Sequence, residues 1–292
     1  MTRLTDLDGE TKIVAVIGWP VRHSLSPPMQ NAALAELGLN WVYVPFEVSP
    51  TRLEVAVEGL RSLNLVGWNV TVPHKGAMAD LVDELGDSAR VLGAVNTVEV
   101  VRGVLYGHNT DGEGFLRALR EQQEVIRGKG VALIGAGGSA RSIAYAVAND
   151  GAAALTILNR TPGRAVEVAE LVTRETGLQV RVEGLEAPEA GQVVQEAEIV
   201  IDATPVGMHP QTAVPPVVPP QWLHEGQCVC DLVYTPRDTT LLRAARQRGA
   251  RTLDGTGMLV HQGAIALERW TNTAAPVEVM REALLGALAK RR

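Results

Sequence analysis

The chain has 292 residues, which is the length of about two domains. Its 46% hydrophobic and 21% charged residues are typical of a globular protein, and its net charge of −6 argues against nucleic acid or an anionic membrane as the main partner. The sequence has no run of 18 apolar residues, and Met1–Glu10 carries three acids and no apolar segment typical of a secretory leader. Cys228 and Cys230 lie two apart on one predicted strand, where a disulfide between them is unfavourable. We therefore expect a cytoplasmic protein with reduced, buried cysteines.

Strands and helices alternate in the first region of the chain. Lys12–Gly18 is a short, continuously apolar run that predicts a buried strand. Ser26 followed by Pro27 predicts a side-chain N-cap and a helix that runs to about Leu37 and ends before Gly38. Further strands are predicted at 41–48, 65–71, 95–101 and 104–107, and further helices at 50–63 and from 75 to about 85. The last two strands form a hairpin, so the sheet should be mostly parallel with a small antiparallel part.

A second region begins near Asp111, with a helix to about Gln122. Strands are then predicted at 131–134, 154–158, 178–182, 198–202 and 227–232, and helices at 139–149, 162–175 and 239–248. A proline-rich loop at 205–220 separates two of these strands, and helices at about 256–270 and 276–289 close the chain. This pattern predicts an α/β protein.

A glycine-rich turn follows the first strand of the second region. Gly135, Ala136, Gly137, Gly138, Ser139 and Ala140 form a G-x-G-x-x-A motif between a predicted strand and a predicted helix. The first glycine permits the tight turn, the second lets the backbone approach a pyrophosphate, and the small last residue allows close helix packing. In this context the motif predicts a dinucleotide site, although such a turn can also serve packing alone.

The residues after the next strand bear on which dinucleotide binds. NAD sites usually place an acidic residue there to hold the ribose 2′-hydroxyl, but this chain has Asn159, Arg160 and Thr161, with Arg164 one helical turn later. Two guanidinium groups suit a 2′-phosphate, and the missing acid avoids repelling it. The pattern favours NADP over NAD, although both arginines could also be ordinary surface residues.

Polar side chains gather where strands of the first region end. Asn69, Thr71 and Lys75 leave one apolar strand, Asn96 lies in the motif Gly-Ala-Val-Asn-Thr at 93–97, and Asp111 follows the strand at 104–107. Open α/β sheets bind ligands at such strand ends, and amide, hydroxyl and carboxylate groups suit a small polyhydroxylated molecule. Each motif alone is equally typical of a turn.

Lys75 is one of only four lysines in the chain. Reduction of a ketone places charge on the carbonyl oxygen, which an ammonium group can stabilise and protonate, and Asp111 could hold that ammonium group. The alternative is a solvated lysine. The histidines show no metal-ligand spacing, so we expect no metal site.

Nine short motifs follow one another along the chain. They are Ser-Leu-Ser-Pro at 24–27, Asn-Val-Thr-x-Pro-x-Lys at 69–75, Gly-Ala-Val-Asn-Thr at 93–97, Asn-Thr-Asp-Gly at 109–112, Gly-Ala-Gly-Gly at 135–138, Asn-Arg-Thr at 159–161, Ala-Thr-Pro-Val-Gly-Met at 203–208, Asp-x-x-Tyr-x-Pro at 231–236 and Asp-Gly-x-x-Met-Leu-x-x-Gln at 254–262. In this order they resemble the shikimate dehydrogenase family. Asp202 departs from the pattern, because the family commonly has Asn or Ser there.

The resemblance implies a two-domain α/β fold and reversible, NADPH-dependent reduction of 3-dehydroshikimate to shikimate, on the route to aromatic amino acids. A mostly parallel substrate domain (1–110 and 255–292, completed by the C-terminal helices) would face a Rossmann-like NADP-binding domain (111–254) across a cleft. The implied catalytic pair is Lys75 and Asp111. The implied substrate contacts also include Ser24, Ser26, Asn69, Thr71, Asn96, Tyr234 and Gln262. The implied cofactor contacts are Gly135–Ala140, Asn159, Arg160, Thr161, Arg164, Thr204, Val206, Gly255 and Met258.

Two alternatives stay open at the level of sequence. A quinate dehydrogenase, or an enzyme that accepts both quinate and shikimate, would share these motifs, because its substrate differs only in ring saturation and one hydroxyl. A non-catalytic NADP-binding regulator would keep the fold but lose the chemistry, and the presence of Lys75 and Asp111 argues against it. The chain could act as a monomer or as a homodimer.

Overall fold

The computed structural model describes residues 7–290, so residues 1–6 of the acidic segment Met1–Glu10 lie outside the described residues. The chain divides into two compact units, one made of the residues up to Thr110 and from Val260 onward, the other of Asp111–Leu259. The return to the first unit therefore comes five residues later than the sequence prediction placed it. The reason is that Met258, in the first turn of the helix that begins at Thr256, packs against the core of the second unit.

The first unit is built around a six-stranded mixed sheet. Its strands are β1 (Lys12–Gly18), β2 (Trp41–Glu47), β3 (Gly67–Val70), β4 (Glu84–Leu85), β5 (Thr97–Val101) and β6 (Val104–His108), in the spatial order β2-β1-β3-β5-β6-β4. Its helices are α1 (Ser26–Glu36), α2 (Leu53–Ser62), α3 (Lys75–Ala79) and α4 (Asp87–Leu92). The strands β2, β1 and β3 are parallel, and the β5–β6 hairpin joins β3 in antiparallel fashion. The predicted parallel sheet with a small antiparallel part is confirmed.

The second unit contains a six-stranded parallel sheet. Its helices are α5 (Asp111–Glu121), α6 (Gly138–Asn149), α7 (Pro162–Thr176), α8 (Ala190–Glu196), α9 (Thr240–Gln247) and α10 (Thr256–Thr271), which continues into the first unit and is followed there by α11 (Val277–Ala289). Its strands are β7 (Gly130–Ile134), β8 (Ala154–Asn159), β9 (Val180–Gly184), β10 (Ile199–Asp202), β11 (Cys228–Asp231) and β12 (Arg251–Leu253).

The order of the strands in this sheet is β12-β11-β10-β7-β8-β9. This is the Rossmann order, in which the direction of winding reverses between β7 and β10. Side chains on β7 alternate between the two faces: Val131 and Leu133 enter one hydrophobic core, and Ala132 and Ile134 enter the other. A strand buried on both faces must be apolar at every position, which explains why the sequence Val-Ala-Leu-Ile has no alternation.

Four short elements were not predicted from the sequence, and one predicted helix is shorter. The helix that begins at Lys75 ends at Ala79 rather than near Leu85, because Glu84–Leu85 pairs with β6 as a strand and the Asp83 carboxylate accepts a hydrogen bond from Leu105 N. The other elements missed are α4, α8 and β12, which have six, seven and three residues. Elements of this length depend on partners supplied by the fold rather than on local sequence periodicity.

Two further expectations concern local chemistry. Ser26 is the first residue of α1, and no side-chain hydrogen bond caps that helix at Leu25, so the predicted Ser26 N-cap was wrong. Cys228 and Cys230 are buried free thiols with their Sγ atoms 4.0 Å apart, as expected. Over the described residues, the helices are too short or too polar to cross a lipid bilayer.

Candidate functional site

The polar residues of the first unit lie at one edge of its sheet. In the strand pairing, Asn69 lies opposite Thr97, and Thr97 lies opposite His108. Asn69 therefore lies near the carboxyl end of β3, where β5 begins and β6 ends. The structure brings Asn69, the motif at 93–97 and residues 109–110 to a single edge of this sheet.

Hydrogen bonds join these residues into one buried network. The amide of Asn69 donates to Thr97 Oγ1 at 3.1 Å, and Thr97 Oγ1 donates to Asn96 Oδ1 at 3.0 Å. Asn96 Nδ2 donates to Thr110 Oγ1 at 3.0 Å, and Thr110 Oγ1 lies 3.1 Å from the backbone oxygen of Gln262. Asn69, Asn96 and Thr97 are at most 7% exposed. Buried amides held from several sides have fixed orientations, as recognition of ligand hydroxyls requires.

Tyr43 belongs to the same network and was missed by the sequence analysis. Its hydroxyl donates to Asn69 Oδ1 at 2.7 Å and also contacts Ser26. Burial raises the pKa of Tyr43, so the hydroxyl remains a donor at neutral pH. Tyr43 lies within an apolar strand and resembles an ordinary core aromatic residue. Its link to Asn69 and Ser26 becomes visible only in the sheet, where β1 pairs with β2 on one side and with β3 on the other.

Ser24, Thr71 and Lys75 border this network. Ser24 Oγ accepts a hydrogen bond from Ser26 N at 3.2 Å just before α1. Thr71 is held by its backbone N–H, which donates to Ile17 O, and its methyl group lies against Gly18. Lys75 begins α3, and its backbone oxygen accepts from Val95 N at 2.8 Å, so the start of α3 is bonded to the residue that precedes Asn96.

The glycine-rich turn of the second unit has the geometry that a dinucleotide requires. Gly135 has φ of +106°, and a Cβ there would lie 3.2 Å from Thr204 Cγ2, so the first glycine is required by the tight turn. Gly137 and Gly138 face open space: apart from the adjoining backbone, no described atom comes within 4 Å of an added Cβ at either position. The following helix, α6, has no side-chain cap at Gly137. Its first backbone N–H groups therefore point toward a position where a phosphate can sit.

The side chains predicted to determine the preference for NADP follow the strand that neighbours this turn. β8 ends at Asn159 and is the parallel neighbour of β7. Asn159 Nδ2 donates to Thr161 O at 2.7 Å, which shapes the turn into α7. Arg160 and Arg164 are both exposed, the first directly after the strand and the second in the first turn of α7. The residues present thus fit a dinucleotide that carries an additional phosphate.

The remaining predicted cofactor residues of this unit follow the strands beyond the topological switch. Thr204 and Val206 follow β10, and Val206 N donates to Thr204 Oγ1 at 3.3 Å. Gly255 follows β12, and its N–H donates to Val233 O at 3.2 Å. Met258 lies one turn later in α10. These residues belong to the carboxyl edge of the parallel sheet, where open α/β sheets bind ligands.

The structure distributes the predicted catalytic and substrate residues between the two units. Ser24, Ser26, Asn69, Thr71, Lys75, Asn96 and Gln262 belong to the first unit. Asp111, the buried first residue of α5, and Tyr234, which follows β11, belong to the second.

Comparison with known proteins agrees with this architecture. The family model for the shikimate dehydrogenase substrate binding domain matches residues 16–98, that for shikimate / quinate 5-dehydrogenase matches 118–212, and that for the shikimate 5′-dehydrogenase C-terminal domain matches 255–285. The NADP(+) shikimate dehydrogenase of Methanopyrus kandleri is 50% identical over 98% of this chain and 99% of its own length. The chain belongs to the shikimate dehydrogenase family.

Solved structures from this family have the same fold. A shikimate dehydrogenase crystallised in complex with NADP⁺ is 38% identical, with a TM-score of 0.91 over 97% of both chains. The shikimate 5-dehydrogenase of Listeria monocytogenes, in complex with shikimate and NAD, is 39% identical, with a TM-score of 0.92 over 96% of this chain and 98% of that one. The family fold of a substrate domain and a Rossmann-like domain is therefore that of this chain.

Gly255 permits a test of how tightly the second unit is packed around this position. A Cβ at this position would lie 2.1 Å from Leu232 O, a backbone atom that cannot move independently. We expect Gly255→Ala to lower the free energy of unfolding by about 1–3 kcal/mol, as overpacking commonly does. The measurement is denaturant unfolding of the protein without ligand. Gly163→Ala, at an exposed helical position with open space around it, is the control and should be neutral or slightly stabilising. Equal stability of the two variants would contradict this account.

Proposed function

We propose that this chain is an NADP-dependent shikimate dehydrogenase, which catalyses the reversible reduction of 3-dehydroshikimate to shikimate in the formation of aromatic amino acids. The observation that carries the proposal is the buried network of Asn69, Asn96 and Thr110 in a chain that also contains the glycine turn followed by Arg160. The first feature suits a small hydroxylated acid, and the second suits NADP. The family membership and the 50% identity to an NADP(+) shikimate dehydrogenase support it.

The substrate would be held by polar groups of the first unit. We assign the carboxylate to the hydroxyls of Ser24 and Ser26, at the start of α1, where backbone N–H groups also favour an anion. The ring hydroxyls would meet Asn69, Thr71, Asn96 and Gln262, with Tyr234 contributing from the second unit. Because Tyr43 and Thr97 hold the Asn69 amide in one orientation, that amide can distinguish a correctly placed hydroxyl from an absent one.

The cofactor would be held by the second unit. The backbone of Gly135–Ala140 and the start of α6 would bind the pyrophosphate, while Asn159, Arg160, Thr161 and Arg164 would surround the adenosine 2′-phosphate. Thr204, Val206, Gly255 and Met258 would contact the nicotinamide half. When bound, NADPH supplies the hydride for reduction of the ketone.

We assign the proton transfer to Lys75. As the ketone is reduced, negative charge develops on its oxygen, and the Lys75 ammonium stabilises that charge and donates a proton to the oxygen. In the oxidative direction the neutral Lys75 amine accepts the proton of the substrate hydroxyl. Asp111 would act with Lys75, as the carboxylate that orients the ammonium group and contacts a neighbouring substrate hydroxyl.

The direct test of this function is a comparison of four reactions. Initial rates should be measured with shikimate and with quinate, each with NADP⁺ and with NAD⁺. We expect the highest kcat/KM for shikimate with NADP⁺. Higher kcat/KM for quinate would assign the chain to the quinate branch of the family, and NADPH binding without turnover of either acid would indicate a regulator.

Ser24 permits a separate test of carboxylate recognition. Since Ser24 is partly exposed and its Oγ accepts a short-range hydrogen bond from Ser26 N, loss of this hydroxyl should have little effect on the melting temperature. We expect Ser24→Ala to raise the KM for shikimate by about 10-fold or more, the cost of a hydrogen bond to a charged group. Steady-state kinetics and a thermal melt check both statements. Ser88→Ala, which removes a hydroxyl that donates to Asn109 O, is the control for loss of a serine hydroxyl in this unit. Unchanged shikimate affinity in Ser24→Ala would rule out the assignment.

We further propose a cytoplasmic location, supported by the two buried free thiols. The expected partners are the small-molecule substrate and the cofactor rather than nucleic acid or membrane, and the chain would act as a monomer or a homodimer. Sedimentation equilibrium separates these two states.

A further inference from the structure

Two buried aspartates lie side by side at the carboxyl edge of the parallel sheet in the second unit. Asp202 ends β10 and Asp231 ends β11, and the two residues are directly paired in the register of these strands. Each is 1% exposed. Each accepts a hydrogen bond from the backbone N–H two residues later, Asp202 from Thr204 and Asp231 from Val233. They therefore shape the loops that leave both strands.

The two carboxyl groups differ in how well they are satisfied. Both oxygens of Asp231 are bonded, since Oδ2 accepts from Thr239 Oγ1 at 2.6 Å in addition to the bond from Val233. Asp202 Oδ1 accepts from Thr204 N at 2.8 Å, but Oδ2 is buried without a hydrogen-bond partner among the described residues. An ionised carboxylate with an unpaired buried oxygen is costly, so this site favours the neutral acid.

Asp202 also lies beside the glycine turn. It is paired with Ile134, the last residue of β7 before Gly135, and Ala203 N donates to Ile134 O at 2.9 Å. The carbonyl oxygen of Ala203 would lie 3.3 Å from a Cβ at Gly135. A negative charge on Asp202 would therefore act directly on the turn that we assign to the pyrophosphate, and on the loop that carries Thr204.

The charged groups around Asp202 do not offset such a charge. On one side, β7 has no ionisable residue between Gly130 and Ile134. On the other side, β11 contributes Asp231, and behind it Asp254, after β12, is paired with Arg237 at 2.8 Å. Burial and the charge of Asp231 raise the pKa of Asp202 to about 7, and burial raises the pKa of Asp231 to about 6.

We propose that Asp202 is a positioning residue whose carboxyl group must be protonated for tight dinucleotide binding, so that cofactor affinity falls as this proton is lost. The cofactor part of this inference rests on the proposed function. Binding of an anionic pyrophosphate next to Asp202 opposes its ionisation, and by linkage ionisation of Asp202 weakens binding of the anion. In the neutral form, Oδ1 still accepts from Thr204 N and holds the loop at 203–208 in place.

The effect on folding stability has a definite sign. The unfolded chain loses the Asp202 proton near the ordinary value of 3.8, whereas the folded chain holds it to about 7. Between these pH values the folded state binds more protons than the unfolded state, so stability decreases as pH rises through this range and the loss is complete above it. Asp231 acts in the same direction up to about 6, but it is unchanged in a variant at position 202.

The first experiment uses the protein without ligand. Thermal melts of the wild type, Asp202→Asn and Asp87→Asn should be recorded from about pH 5 to about pH 8.5, which covers the upper part of the linkage range and the pH values above it. We expect the difference in Tm between Asp202→Asn and the wild type to shift in favour of the variant as pH rises. Asp87→Asn removes the same charge at an exposed position, since the Asp87 side chain is 98% exposed. The Tm of this control variant should change with pH as the Tm of the wild type does. Asp202→Ser retains a short oxygen acceptor and is the second variant if Asp202→Asn does not fold.

The second experiment measures NADP⁺ dissociation constants for the same proteins at about pH 6 and about pH 8.5. The wild-type Kd should increase over this range by about 5-fold or more relative to that of Asp202→Asn, the lower end of typical coupling between sites. Both proteins bind the same cofactor, so dividing the change in Kd of the wild type by the change in Kd of Asp202→Asn cancels the effect of titrating the phosphate of NADP⁺. Parallel Tm curves for the wild type and Asp202→Asn, or parallel pH profiles of Kd, would overturn the inference. Failure of every protein to bind NADP⁺ would instead overturn the proposed function and, with it, the cofactor part of the inference.

Discussion

Replacement of Lys75 with alanine is expected to lower turnover by about 10²- to 10⁴-fold, the usual contribution of a positioned acid–base group. The reason is that the ketone oxygen would lose its proton donor and the ammonium charge that stabilises it, whereas the pyrophosphate and 2′-phosphate contacts assigned to the second unit would remain. Steady-state rates in both directions, together with NADPH titration by fluorescence, check this result. Near-normal turnover in Lys75→Ala would refute the assigned role.

Lys12→Ala is the matched control for this experiment. Lys12 begins β1, at the opposite end of the strand from the polar edge of the sheet, and its ammonium group lies 5.5 Å from the centre of the Trp41 ring. Loss of this exposed contact should leave turnover within about 2-fold of the wild type, since exposed cation–π pairs contribute little beyond local stability.

Asp111 extends this prediction to a pair. If Lys75 and Asp111 act as one unit, the variant Lys75→Ala/Asp111→Asn should be little slower than the slower of the two single variants, because residues that act together are not additive. The measurement is kcat for the two single variants and the double variant under identical conditions. Strictly multiplicative losses would show that the two residues act independently.

Replacement of Arg160 with alanine is expected to raise the KM for NADP⁺ by about 10- to 100-fold, the cost of losing a charge-assisted hydrogen bond of roughly 1.5–3 kcal/mol. The KM for NAD⁺ should stay nearly unchanged, because NAD⁺ lacks the 2′-phosphate that the guanidinium group would bind. Parallel kinetics with both cofactors check this difference.

Arg181→Ala controls for loss of a surface charge from the same unit. Arg181 lies within β9, paired with Thr156 in the middle of β8, whereas Arg160 follows the carboxyl end of β8. Its replacement should change neither KM strongly. Equal losses with NADP⁺ and NAD⁺ in Arg160→Ala would exclude the assignment of this residue to the 2′-phosphate.

The long elements could be predicted because their residues carry the information locally. The sequence Val-Ala-Leu-Ile, apolar at every position and followed by Gly135, indicates a strand buried on both faces and a tight turn, and the structure has both. Conversely, β12 and α8 have only three and seven residues and contain no clear period. Their formation depends on pairing with β11 and on burial of Val193 and Val194, so local sequence could not indicate them.

The candidate site divides in the same way. The identities of Asn69, Lys75, Asp111 and Arg160 suggested the chemistry and the cofactor only in combination, because each of these residues alone is equally typical of a turn or of the surface. The link from Ser26 through Tyr43 to Asn69 was not predictable. It depends on the order β2-β1-β3, which places a strand at 41–47 beside one at 12–18 and near one at 67–70.

The sequence by itself determined the alternation of strands and helices, the dinucleotide turn and the residue types at the strand ends, since each follows from periodicity or from the chemistry of a short motif. Only the tertiary structure decided which side chains share an environment. Asp202 and Asp231 are 29 positions apart in the chain, yet parallel pairing of β10 and β11 places them side by side in the interior. Burial and proximity of charges, which raise the pKa of Asp202, arise from the pairing of distant strands, and no local sequence pattern contains them.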